Sequence, residues 1–190
     1  MRSTPRLQVI VASTRPGRIG RSVADWFVPL AKAHGGFEVE LVDLAEVALP
    51  MFDEPRHPRL GQYEHQHTKD WSATVSRADA FVFVMPEYNH GFNAALKNAL
   101  DYLVHEWAHK PVGAVSYGGV AAGTRAWQLL KPVLAVLKMT PVVESVHIPF
   151  VHDRTDEDGT FVGDADLEVG ARAMLDALLR LTEALRPLRD

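Results

Sequence analysis

With 190 residues, 47% of them hydrophobic, the chain is long enough for one domain with a sizeable core and short for two, so residues 1–190 are read as a single domain. A net charge of −4, from 20 basic against 24 acidic side chains, argues against the clustered basic surface that nucleic acid or an anionic membrane requires, and a small-molecule partner is expected. With no cysteine there is no disulfide, thiolate nucleophile or cysteine metal ligand, so any redox chemistry must reside in a bound cofactor.

Leu7 to Ala12 is a β-branched apolar run, read as a first strand and too short for a secretory h-region. No stretch approaches the roughly 18 apolar residues of a membrane span, and a cytoplasmic protein is expected. Ile19, Val23, Trp26, Phe27 and Leu30 have helical spacing over 19–34. Phe37 to Leu44 alternates apolar and acidic residues, as a strand near an edge does, before a proline-rich, histidine-bearing loop over 48–66. A short helix over 68–76 leads to the buried strand ADAFVFVM, which Pro86 is expected to stop. Asn93 can cap a helix through Leu103. Val112 to Tyr117 is a fourth strand, 123–138 a helix that Pro132 can kink, and 141–148 a fifth strand. A last amphipathic helix over 166–185 presents Leu167, Ala171, Met174, Leu175, Leu178, Leu181 and Leu185 on one side.

Strands alternating with helices imply a parallel sheet covered on both faces, because parallel neighbours need right-handed crossovers. Ligands in such sheets bind beyond the carboxyl ends of the strands, where the strand order reverses. Three loops lie there. Ser13 to Gly20 (STRPGRIG) combines hydroxyls, two arginines and a glycine with a helix start, the components of a phosphate cradle. It matches neither G-x-x-x-x-G-K-[ST] nor G-x-G-x-x-G, and an ordinary solvated turn has the same composition. Pro86 to Phe92 (PEYNHGF) offers a carboxylate, an aromatic ring and an amide to a flat heteroaromatic ring, or is a turn in which Tyr88 packs. Ser116 to Gly123 (SYGGVAAG) has paired glycines that permit close backbone approach, or is a glycine turn before a helix. All three fall on one edge of the expected sheet.

The stretches VIVASTRPGRIGRSVADW, MPEYNHGFNAALKNALDYL and KPVGAVSYGGVAAGTRAWQLL strongly resemble the NAD(P)H-dependent FMN reductases, a group with quinone, azo-dye and chromate reductase relatives. The resemblance covers roughly residues 6 to 150, and PEYN followed by LKNALD is its most specific part. It implies a flavodoxin-like doubly wound α/β fold, a five-stranded parallel sheet of order 2-1-3-4-5 with helices on both faces. It further implies that Ser13, Arg15, Arg18, Ile19 and Gly20 surround the FMN phosphate. Pro86, Glu87, Tyr88 and Asn89 would border the isoalloxazine, and Ser116, Tyr117, Gly118 and Gly119 its pyrimidine side, where the amides of Gly118 and Gly119 would stabilise the reduced ring. NADPH or NADH would be the co-substrate, with a homodimer or homotetramer as the assembly. Ala12, Arg18 and Gly91 stand where many members have glycine, serine and serine.

The expected activity is hydride transfer from NAD(P)H to bound FMN and onward to a quinone, free flavin or similar small-molecule acceptor, with no side chain acting as acid or base. A flavodoxin-like electron carrier shares fold and cofactor, and a flavin-free sensor shares the fold alone. A further alternative is a zinc-dependent hydrolase through HEWAH, residues 105–109, which matches H-E-x-x-H. That motif requires one helix through both histidines, whereas Lys110 and Pro111 follow at once and bias the chain away from helix, so no metal ligand is assigned.

Overall fold

The computed structural model describes residues 4–189. β1 (Arg6–Val11) leads into α1 (Gly20–His34), β2 (Glu38–Asp43) and a one-turn α2 (Leu44–Val47). α3 (Gln66–Ser76) precedes β3 (Ala80–Tyr88), which turns back through the two-residue β4 (Gly91–Phe92) into α4 (Ala94–Asp101). β5 (Pro111–Tyr117), α5 (Thr124–Val136), β6 (Thr140–Pro141), β7 (Val146–Ile148) and α6 (Ala165–Leu185) follow.

The sheet order is β2-β1-β3-β5-β6, all parallel, with β7 also on β5 and β4 antiparallel to β3. The expected reversal beside β1 is present, and the extra hairpin strand β4 shifts the numbering from 2-1-3-4-5. Alternation along β3 explains the two-sided core. Phe81, Phe83 and Met85 face one layer with Trp71, Leu100, Trp107 and Trp127, while Ala80, Val82 and Val84 face the other with Val23, Phe27, Met174 and Leu178. Even the one buried polar residue of β1 is used, since Gln8 donates to Glu40 at 2.9 Å and to the Thr74 carbonyl at 2.7 Å, joining β1 to β2 and α3.

Three expectations need correction. β3 does not stop at Pro86 but runs on to Tyr88. The Val84 carbonyl faces β1, accepting from the Ala12 amide at 2.9 Å, and Pro86, two residues on, turns its nitrogen to the same side. β1 has ended there, so the missing N–H leaves no gap in a ladder. The expected fifth strand is broken in two. Val112 pairs with Pro141 but Val115 with Val146, so the outer strand carries two surplus residues over that span and Val143 is extruded to 90% exposure. Finally, Asn93 stands at the N-cap of α4 without capping it. Its buried side chain instead donates across to the Ala12 carbonyl at 2.7 Å, tying the end of β1 to the start of α4.

Asn93→Ala strands that buried carbonyl, which costs about 1–3 kcal/mol. The expected result in a thermal melt is a midpoint lower by several degrees, on the order of 2–4 °C per kcal/mol for a chain of this size. An unchanged midpoint shows that the latch contributes nothing.

Candidate functional site

The loops after β1, β3 and β5 meet at the carboxyl edge around a cleft of about 400 Å³. Ser13, Arg15, Arg18 and Ile19 line one side, Pro86, Glu87 and Tyr88 the second, and Tyr117, Gly118 and Gly119 the third. A fourth wall, Phe150 to Asp153, was missed in the sequence. The segment follows the fifth strand onto the same edge, so the rule that selected the other three loops also selects this one.

The first loop ends in a helix start with no cap. Ile19 holds the N-cap position without a side-chain bond, the first turn of α1 carries no acid, and the first backbone bond of the helix is the Val23 amide to the Ile19 carbonyl. The amides of Gly20, Arg21 and Ser22 therefore lack intrahelical acceptors, and the helix dipole adds partial positive charge. Arg15 lies exposed beside them and forms no ion pair among the described residues. Arg18 is placed differently from a free phosphate ligand. Its Nη2 lies 2.5 Å from the buried carboxylate of Asp43, which also accepts from the Ala45 amide at 3.0 Å. The pair compensates the charge of a carboxylate that burial would otherwise destabilise.

Gly20 does not line the cleft, and its contribution is space. A Cβ there would collide with the Tyr117 hydroxyl and sit 3.2 Å from Tyr117 Cζ. Tyr117 thus reaches towards the first loop rather than standing only at the third. Its buried hydroxyl has no partner among the described residues, and burial pushes its pKa up, so it stays a neutral phenol able to donate. Ser13 and Tyr88 share a hydrogen bond of 3.0 Å, closing the first loop onto the second.

Other residues of the second and third loops are committed to structure. Asn89 and His90 both have positive φ, 50° and 68°, and make the tight turn from β3 to β4, outside the cleft wall. Glu87 reaches α5, accepting from the Arg125 amide at 3.2 Å and its guanidinium at 3.0 Å, and so supplies the negative charge that the start of α5 lacks. Ser116 is wholly buried, donating to the Ala122 carbonyl at 2.8 Å and bonding His147 Nδ1 at 2.6 Å, away from the cleft. His147 bonds Ser145 at 2.8 Å through its other nitrogen, and burial, then the nearby Lys131, lowers its pKa. The Gly118 amide is spent on the Ile148 carbonyl at 3.2 Å, so of the two glycine amides only that of Gly119 is without a partner among the described residues. Nothing lies within 4 Å of a Cβ built on Gly119, which leaves a bare backbone shelf.

HEWAH is not a zinc helix. His105–Trp107 is a single 3₁₀ turn, Ala108 is extended and His109 has φ 59°. The buried Trp107 anchors the segment against Trp71 and Phe81, His105 bonds the Arg59 carbonyl at 2.8 Å, and Glu106 accepts from Tyr63 and Ser72. With a bend between them the two histidines share no face.

A doubly wound parallel sheet with an anion cradle and a side-chain-free shelf facing each other at its carboxyl edge is the architecture of a flavodoxin-like nucleotide-binding protein. Residues 5–153 match the NADPH-dependent FMN reductase family, and the chain belongs to that family. It is 43% identical over 153 residues to an NAD(P)H-dependent FMN reductase of Schizosaccharomyces pombe, covering 78% of this chain and 76% of that protein. To an NADPH azoreductase of Bacillus sp. (strain OY1-2) it is 28% identical over 182 residues, 94% of this chain and 92% of the relative. Among solved structures, the flavoenzyme NAD(P)H:(acceptor) oxidoreductase FerB of Paracoccus denitrificans superposes with a TM-score of 0.74 at 20% identity, over 95% of this chain and 98% of that one. The chain is accordingly an FMN-dependent oxidoreductase that draws on NAD(P)H. Its residues fit that cofactor, with orphan amides and Arg15 for a phosphate, the unpartnered Tyr117 hydroxyl, and the open backbone of Gly119 for a ring edge. No described helix is long and apolar enough to cross a membrane.

Gly20→Ala drives a methyl group into Tyr117, and the double variant Gly20→Ala/Tyr117→Phe removes the colliding oxygen. The single variant is expected to lose FMN on dialysis and to melt lower, with the melting temperature partly regained in the double variant. Equal melting of the two shows that the close approach is not what requires glycine.

Proposed function

We propose that FMN lies across the cleft with its phosphate at the start of α1, its ring bordered by Pro86 and Tyr88, and its pyrimidine edge on the Gly119 shelf. The bound enzyme then reduces planar acceptors such as quinones, free flavin or azo compounds. The observation that carries this reading is the uncapped start of α1, flanked by Arg15, which has no ion pair among the described residues, at a cleft of about 400 Å³ that the glycine shelf also lines. When bound, FMN supplies the two-electron chemistry, accepting hydride from NAD(P)H and delivering it onward.

The chain contributes binding and electrostatics. The amides of Gly20, Arg21 and Ser22 and the Arg15 fork hold a doubly charged phosphate, each charge-assisted bond contributing about 1.5–3 kcal/mol. Arg18, held on Asp43, keeps the loop closed rather than serving as a second fork. The Gly119 amide, without a partner among the described residues, would donate to the flavin edge that gains negative charge on reduction. Exposed rings of Tyr88 and Phe150 stand at the mouth and offer flat contact to the second substrate. The relatives named as azoreductases support a conjugated, planar acceptor. A protein-to-protein carrier is less favoured, because carriers steer partners with strongly acidic faces and this cleft is lined by Arg15 and Arg18 beside Glu87 and Asp153.

Purified protein is dialysed with FMN and mixed anaerobically with NADPH or NADH. Retained flavin that bleaches and then recovers with a quinone or an azo dye is the expected course, whereas retained flavin that no nicotinamide bleaches overturns the reductase reading. Arg15→Ala is expected to weaken FMN retention by about tenfold, the equivalent of roughly 1.4 kcal/mol, with the salt dependence of retention reduced. Retention as tight as the parent's in high salt refutes the phosphate placement.

A further inference from the structure

At the other edge of the sheet, under the amino ends of β3 and β5, lies a second and larger cavity of about 800 Å³. Five cationic side chains line it, Arg77, Lys110, Lys138, Arg186 and Arg189, against two carboxylates, Asp79 and Glu106. Both carboxylates are already occupied. Asp79 accepts from the Arg6 amide at 2.8 Å and pairs with Arg189 at 3.1 Å, while Glu106 holds Tyr63 and Ser72 at 2.9 Å and 2.6 Å. Arg77 is paired with Glu40 on the rim. Lys138 and Arg186 have no carboxylate within ion-pair distance among the described residues, and Nη2 of Arg189 is buried without a partner.

The excess of positive charge is built in rather than loosely displayed. Lys110 is a buried ammonium that donates to the Val75 and Ser76 carbonyls at 3.0 Å and 3.3 Å and lies over the Phe81 ring. Two carbonyls leave the third of its protons unassigned. Burial, and after it the repulsion of Arg189, lowers its pKa to about 8 against the opposing pull of Asp79 and Glu106. Two non-glycine residues in the cavity wall, His109 and Lys138, are held in the left-handed region at φ 59° and 57°, and the His109 amide donates to the Lys138 carbonyl at 2.9 Å.

We propose that this cavity is a second anion site, for a phosphorylated small molecule whose phosphate or diphosphate group is received by Arg186, Arg189, Lys110 and Lys138. Forked guanidinium groups beside ammonium groups match a tetrahedral, multiply charged oxyanion better than a single carboxylate, and the volume admits more than a lone ion. The site is separate from the cofactor cleft. β5 runs from Pro111, the neighbour of Lys110 at one cavity, to Tyr117 at the other, a span of roughly 20 Å at about 3.3 Å per residue.

The test is calorimetric titration of the FMN-loaded protein, its first cradle filled, with inorganic pyrophosphate at low ionic strength, beside the double variant Lys138→Gln/Arg186→Gln and a malonate titration as the dicarboxylate control. The proposal expects saturable pyrophosphate binding without flavin release, weakened at least about tenfold in the double variant, and weaker malonate binding. It is overturned if the parent takes up no pyrophosphate, if the double variant binds it equally well, if pyrophosphate expels FMN, or if malonate binds as tightly. Both changes are at surface positions that leave the FMN cleft intact, so flavin retention in the variant separates a failure of this site from a failure of the first.

Discussion

Ala80 through Pro86, the greater part of the central strand, is buried without interruption, and everything else in the molecule is arranged around keeping it so. A strand covered on both faces cannot return by a hairpin to a parallel neighbour. The chain must cross over through helices, and every crossover leaves its strand at the same edge. That geometric constraint puts the ends of β1, β3 and β5 side by side and creates the cleft before any ligand-binding residue is chosen. The same constraint places the entries to β3 and β5 together at the opposite edge, where the basic cavity lies.

Around the cleft, much of the polar equipment serves to hold loops rather than ligand. Arg18 is bound to Asp43, Glu87 to the start of α5, Ser116 to His147 and the Ala122 carbonyl, and Asn93 to the Ala12 carbonyl. What is left for a ligand is the Arg15 side chain, the orphan amides at the start of α1, the Gly119 shelf, and the unpartnered hydroxyl of Tyr117. A site made from main chain on rigid strand ends is already organised before binding, which limits the ordering cost. The committed side chains form the scaffold that keeps those amides aimed.

Much of this was legible in the chain because it depends on local pattern. The apolar run of β3, the helical spacing from Ile19 to Leu30 and the stripe of the last helix each reflect burial on a face, and burial is written in residue type. The loops at the cleft followed from strand order, and the bend of HEWAH from Pro111. Partners across the fold were not legible. Nothing near Arg18 in sequence reveals Asp43, 25 residues away, and nothing near Glu87 reveals Arg125, 38 residues away. Pro86 was read as a strand terminator because the rule against proline in sheets holds only where a neighbour needs its N–H, and whether β1 extends that far is decided by register.

The sequence by itself therefore determined the layers, the edge on which the cleft lies and the family, since hydrophobic periodicity, glycine placement and short motifs are properties of consecutive residues. The tertiary structure alone decided which polar groups remain free. A side chain's availability depends on what distant segments bring within about 3 Å of it, and those distances arise only when the crossovers have packed the strands together.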